Sequence, residues 1–153
     1  GYAKLNNIDL KRNAHKLALD SILVNASGDS VNRYLSIQSN DVTATINGSY
    51  QLSKLPTSVQ YYLSRYIPNY IQPPAKYAPN QNFDFTITTN NVDSLFAVTL
   101  PILRGFNSSK VSGGLNMVSK KLTLKASVPH AAIGNFNLYN NFCQLNCKRW
   151  WSL

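Results

Sequence analysis

From Asp20 onward, apolar and polar residues alternate with a period of two. "SILVNAS" aligns Ile22, Val24 and Ala26, and "RYLSIQS" aligns Leu35 and Ile37. "DVTATINGSYQL" sets Val42, Ala44, Ile46, Tyr50 and Leu52 against Thr43, Thr45, Asn47, Ser49 and Gln51. Side chains point to opposite sides of a pleated strand, so each run predicts a strand with one apolar face. Gly28-Asp29-Ser30 and Ser39-Asn40-Asp41 supply turns, and such short links favour antiparallel neighbours. Further on, Phe83, Phe85 and Ile87 alternate with Asp84, Thr86 and Thr88, and Asn90-Asn91 makes a turn. Phe96, Val98 and Leu100 then alternate with Ala97 and Thr99, predicting a strand that Pro101 ends. "KVSGGLNMV" and "KKLTLKASV" predict a strand pair with Leu122, Leu124, Ala126 and Val128 on one face and a bulge or bend at Gly113-Gly114. Phe136 and Leu138 begin a last strand.

One segment breaks this rhythm. In "PTSVQYYLSRYIPNYIQPP", Val59, Tyr62, Leu63, Tyr66 and Ile67 recur at helical spacing, predicting an amphipathic helix over about 57–67. Thr57-Ser58-Val59-Gln60 matches a capping box, and Pro68 stops the helix because it has no amide to donate. The expected architecture is therefore mostly β, an antiparallel meander with one helix acting as a cap or plug on its apolar face. That face must be covered by a sheet, the helix or a ligand, since a bare apolar patch of its size is unusual.

Composition fits a sheet protein of ordinary domain size. At 153 residues the chain can bury roughly 70% of its unfolded surface in one domain. Residues are 44% hydrophobic and only 14% charged, so the polar positions fall to Asn, Ser and Thr. The expected division is a β-rich domain over 1–139 and a tail over 140–153, where "FCQLNCKRWW" abruptly brings in both Cys and both Trp. Cys143 and Cys147 read as a disulfide or as two free thiols. The start at Gly1 reads as an excerpt of a longer protein. A formal charge of +9 raises nucleic acid and phospholipid surfaces as partners. Its spread along the chain, without the clustering of a stacking platform, argues against nucleic acid.

The search for catalytic chemistry nominates no residue. The acidic residues are Asp9, Asp20, Asp29, Asp41, Asp84 and Asp93, without any Glu, and no pair stands out for general acid and base work. His15 and His130 belong to no metal-spacing motif, and Cys143 and Cys147 alone lack two further ligands. Phosphate loops, nucleophile elbows and Cys/His dyads are absent as motifs. The reading is a non-enzymatic chain with no cofactor and no metal. Asn25, Asn47 and Asn107 head N-x-S triplets, which matter only in a eukaryotic secretory setting.

Three stretches together resemble a known family: "SNDVTATINGSYQLSKLPTSVQYYLSRYIPNY", "FDFTITTNNVDSLFAVTLPIL" and "KVSGGLNMVSKKLTLKASVP". Their sequence of strands, tyrosine-rich helix and strand pair is similar to the TamB-type translocation and assembly modules, which are related to AsmA-like bridge proteins. The resemblance covers about residues 20–130. It implies an elongated, folded-over sheet lining a hydrophobic trough, in a periplasmic cell-envelope protein whose inner-membrane anchor lies outside these residues. It implies phospholipid or another acyl-chain ligand as cargo, support for outer-membrane protein translocation, and an outer-membrane assembly protein as partner. The trough would be lined by Ile22, Val24, Leu35, Ile37, Val42, Ala44, Ile46, Phe83, Phe85, Ile87, Phe96, Val98, Leu100, Leu122, Leu124 and Val128. The alternative is a closed β-barrel or sandwich, a secreted structural or protein-interaction domain whose apolar face is simply its core.

Overall fold

From β1 to β5 each strand pairs with its predecessor, and the described residues form nine strands in a single antiparallel sheet. The computed structural model describes residues 1–12, 15–29, 31–66, 68–69, 72–99, 101–133 and 136–148. The strands are β1 (Tyr2–Arg12), β2 (His15–Gly28), β3 (Arg33–Gln38), β4 (Val42–Ser49), β5 (Asn82–Thr89), β6 (Leu103–Gly105), β7 (Lys110–Asn116), β8 (Lys121–Ile133) and β9 (Phe136–Lys148). They lie in the order β1-β2-β3-β4-β5-β7-β8, with β6 in line with β7 on one edge of β8 and β9 on the other. Among the described residues β1 and β9 do not pair, so the sheet stays open and the closed barrel does not form.

Register turns the alternation of each strand into continuous cross-strand rows. One row runs Ala3, Val24, Ile37, Ala44, Ile87, Val111, Ala126, each residue directly opposite the next. The next apolar row runs Ala26, Leu35, Ile46, Phe85, Gly113, Leu124. Between them on the other face lies Asn25, Ser36, Thr45, Thr86, Ser112, Lys125, without an apolar member. Facing residues in such rows are the units of sheet stabilisation, and here like always meets like. In these rows one face is carbon and the other is hydroxyl, amide and ammonium.

The pairing also explains Gly113-Gly114. No bulge forms there: the register from Asn82↔Asn116 to Thr88↔Lys110, and from Lys110↔Ser127 to Asn116↔Lys121, is unbroken. Gly113 instead makes room for a neighbour, since a Cβ there would stand 3.0 Å from Phe85 Cε1 and 2.4 Å from the Thr123 carbonyl oxygen. The Phe85 ring thus fills the gap in its row that the glycine leaves.

The first strand pair, of which the alternation read from sequence covers only the part of β2 from Asp20 onward, contains a change of phase. Ile22 and Val24 are even-numbered, whereas Leu17 and Leu19 are odd, yet Leu17, Leu19, Ile8 and Ile22 share one cluster. The step falls at Asn7, which adopts φ 54 between the pairs Asn6↔Ser21 and Ile8↔Leu19. Asn tolerates the left-handed region better than most residues. The kink returns the leucines to the apolar face.

Two helices lie on that face, one at each end. A 3₁₀ turn over Leu52–Lys54 leads into α1 (Leu55–Tyr66), whose Leu55 and Tyr62 pack with Tyr50, Phe83 and Leu115. Pro56 sits in the first turn, where its missing amide is harmless. The capping box does not form, because the helix starts earlier and Thr57 Oγ1 donates to the Lys54 carbonyl. The end at Tyr66 agrees with the stop expected at Pro68, while Ile67 lies outside the described residues. The following loop folds back on the helix: Tyr61 stacks on Tyr77 at 3.7 Å, and Gln60 Nε2 donates to the Gln72 carbonyl.

The strand expected over Phe96, Val98 and Leu100 is instead α2 (Asp93–Thr99), with Leu100 outside the described residues. "DSLFAVT" supports either period, and burial decides. Leu95 and Val98, three apart, pack together on Leu17 and Leu19, a spacing that a helix meets and a strand does not. The loop before β7 secures the start of α2: Asp93 accepts from the Gly105 amide and Asn107 Nδ2, while Asn107 Oδ1 accepts from the Val92 amide. The last strand begins at Phe136 as expected, and β9 runs on through the expected boundary at 139/140 to Lys148.

The one-sided burial makes a direct prediction. Leu17→Ala, at a site only 4% exposed, should lower unfolding free energy by about 2–4 kcal/mol. Thr43→Ala, on the polar face, should change it by less than about 1 kcal/mol. Urea denaturation of both variants checks this, and equal losses would mean that both faces are packed.

Candidate functional site: an apolar hollow between two helices

With α1 at one end of the apolar face and α2 at the other, the middle rows remain uncovered. A hollow of about 280 Å³ opens there, lined by Leu35, Ile37, Ala44, Thr45, Ile46, Phe83, Phe85 and Ile87 of β3, β4 and β5 and by Leu55 and Val59 of α1. Thr45 is the one polar residue of the lining, and it belongs to the row whose side chains lie on the other face. Ile37 and Ile87 are each 37% exposed, and Val59 is 41% exposed on the facing helix. The volume is at the small end of ligand pockets, which run from about 300 to 1,000 Å³. Its chemistry is van der Waals contact only, matched to a hydrocarbon chain and to nothing that needs a hydrogen bond.

Seven of the residues expected to line a trough therefore meet around this one hollow: Leu35, Ile37, Ala44, Ile46, Phe83, Phe85 and Ile87. Val24 and Val42 extend the same face and are half-buried, as are Leu122 and Leu124 on β8. Ile22 of β2 and Val98 of α2 belong to the cluster beneath α2, and Phe96 sets its ring edge-on to Phe106 at 5.8 Å, so none of the three lines the hollow. Val128 is buried towards the far end of β8. Of the helix residues, Val59 lines the hollow and Tyr62 is buried beneath α1, while Leu63 and Tyr66 lie in the last part of the same helix. Leu55 was not among the residues read from sequence. It precedes Val59 and Tyr62 at i−4 and i−7, so the apolar stripe starts one turn earlier than Val59.

A second hollow of about 430 Å³, of mixed polar and apolar lining, adjoins the first across Leu35, which lines both. It is bordered by Arg33, Asp29, Tyr34, Tyr50 and Leu52, among others. Arg33 stands two residues before Leu35 on β3, opposite Gly28 and Gly48, and thus on the apolar face. Its guanidinium is fixed by two backbone acceptors, Nη1 donating to the Tyr50 carbonyl at 3.0 Å and Nε to the Asp29 carbonyl at 3.3 Å. Asp29 Oδ1 accepts from the Val31 amide at 2.7 Å and the Asn32 amide at 2.8 Å. The Asn32 and Val31 amides hold the Asp29 carboxyl below its ordinary value, with the nearby Arg33 charge adding to them. Burial pushes the Tyr50 phenol up. The sequence did carry a signal for Arg33, a cation in phase with Leu35 and Ile37.

Asp93 and His130 make structural contacts away from the two hollows. Both oxygens of Asp93 are taken by the Gly105 amide and Asn107 Nδ2, and His130 lies against Tyr139 with ring centres 4.9 Å apart. Among the described residues no group of three His, Cys, Asp or Glu side chains could hold a metal. Cys143 and Cys147 fall opposite Ala126 and Leu122 on β9. Four strand residues separate their Cα atoms by about 13 Å, too far for a bridge between them. No described helix is long and apolar enough to cross a membrane, which says nothing of crossing by strands.

Compared with protein-family models, curated proteins and solved structures, the chain finds no match.

The Asp29 geometry gives a pH test. A carboxyl depressed in the folded state contributes stability above its unfolded value and loses it as pH falls through the folded value. Asp29 should therefore titrate below 3.8 in the folded chain, and the 28–32 turn should loosen only in that acid range. Carboxyl NMR titration measures it directly; a midpoint at or above 3.8 would show that the turn does not hold the charged form.

Proposed function

We propose that this chain is a non-enzymatic lipid-handling module whose open apolar face receives an acyl chain. The observation that carries the reading is the carbon-lined hollow at the uncovered middle of the sheet, between α1 and the rows that contain Ile37 and Ile87. A protein core would be close-packed and closed to water. This face is closed at its ends and open at its centre, which suits a chain that enters and leaves. The resemblance to TamB-type modules extends the proposal to phospholipid movement across a periplasm and to support of outer-membrane protein assembly. A membrane-anchored parent protein and an outer-membrane partner belong to that extension.

The test uses residues that line the hollow yet reach solvent, so that a charge there does not unfold the sheet. Native mass spectrometry with organic extraction should find acyl lipid on the purified chain. Ile37→Asp and Ile87→Asp should each reduce the bound fraction by more than about tenfold, because a carboxylate in the hollow would have to be desolvated by the chain. Their circular dichroism should match that of the parent chain. Lipid retained at full stoichiometry in both variants would place the bound molecule elsewhere and overturn the reading.

A further inference from the structure

The two hollows share a wall at Leu35, and only the second brings charged groups to its lining. One is hydrocarbon; the other presents a guanidinium and a carboxylate. In the two apolar-face rows beside the hollow, Ala26, Leu35, Ile46, Phe85, Gly113, Leu124 and Gly28, Arg33, Gly48, Phe83, Leu115, Leu122, Arg33 is the one charged member. A partly buried charge on an apolar face is costly unless something uses it. Two backbone carbonyls orient this guanidinium through Nε and Nη1, and Nη2 has no partner among the described residues. Asp29 does not pair with it as a salt bridge. The Asp29 carboxylate spends Oδ1 on its own turn and keeps Oδ2 without a described partner.

We infer that the Arg33 and Asp29 hollow receives the headgroup of the lipid whose chain lies along Leu35 and Ile46, and that this headgroup is zwitterionic, a phosphate joined to a primary ammonium. The inference rests on the acyl-chain reading above. Arg33 is two strand residues from Leu35, about 7 Å, so chain and headgroup are contiguous. The phosphate meets Nη2 of the fixed guanidinium in a charge-assisted hydrogen bond. The ammonium meets Oδ2 of Asp29. A headgroup with phosphate alone leaves the carboxylate facing an anion, and an uncharged headgroup uses neither group.

The test compares three amphiphiles of one chain length: lysophosphatidylethanolamine, lysophosphatidylglycerol and a monoacylglycerol, titrated into the chain by calorimetry. The ethanolamine lipid should bind tightest. Arg33→Gln should weaken both phospholipids by about tenfold and leave the monoacylglycerol unchanged, while Arg33→Lys, which keeps the charge, should retain part of the preference. Asp29→Asn keeps an acceptor for the Val31 and Asn32 amides and should weaken only the ethanolamine lipid. Glycerophosphoethanolamine, which has the headgroup without a chain, should not bind measurably; equal affinity for it would make the hollow a site for a free phosphate compound and overturn the inference. Equal affinities for the three amphiphiles, or no change in either charge variant, would also overturn it. If none of the three amphiphiles binds, the acyl-chain reading itself fails.

Discussion

Unbroken antiparallel register is the constraint on which the rest of this molecule depends. Because side chains alternate strictly along a strand, a slip of one residue anywhere would exchange carbon for hydroxyl across a whole strand. From β2 to β8 no slip occurs, and Val24, Ile37, Ala44, Ile87 and Val111 stand in one line. Each row enforces its neighbours, since displacing one strand would set Ile or Phe against Ser, Thr or Lys on both sides. In the one place where the sequence changes phase, Asn7 supplies a left-handed step that restores the correct face.

That sorting creates a surface needing cover, and the chain covers only part of it. Both helices are inserted between strands, α1 between β4 and β5 and α2 between β5 and β6. Each folds back over an end of the face that the sheet has made. Tyr62 anchors one and Val98 the other, both almost fully buried. The middle is left half-exposed, with a cation at its border. Strong closure at the ends and weak closure between them is a different solution from a sandwich, in which a second sheet would bury every row alike.

Most of the sheet was legible because alternation over six to eight residues admits few other readings. Leu35 and Ile37, Val42 through Ile46, and Phe83 through Ile87 were all placed on the face they occupy. Phe96 and Val98 were misplaced for a physical reason: over seven residues, periods of 2 and 3.6 fit the same letters, and the choice is made by Leu17 and Leu19, far away in sequence. Gly113-Gly114 was read as a bulge or bend, while a strand glycine also serves to admit a neighbouring side chain, and only the position of the Phe85 ring reveals that use at Gly113. β1 and the first part of β2, before Asp20, were not read at all, since the change of phase disguises the alternation there. Of the site, the apolar lining was legible and the charged pocket was not. Arg33 and Asp29 come together through a turn, and their importance depends on which side of the sheet that turn bends.

The left-handed step at Asn7 matters for how the molecule meets its neighbours in solution. β1 is an outer strand, and an outer strand exposes a row of backbone donors and acceptors on which a foreign strand can grow. A straight edge of eleven residues would be a long template. The left-handed residue at Asn7 interrupts that edge, with Lys4 on one side of it and Asp9 and Lys11 on the other. A partner strand would have to match the interruption and strip those charges of water. The step that accompanies the change of phase thus also makes the edge a poor template for edge-to-edge aggregation.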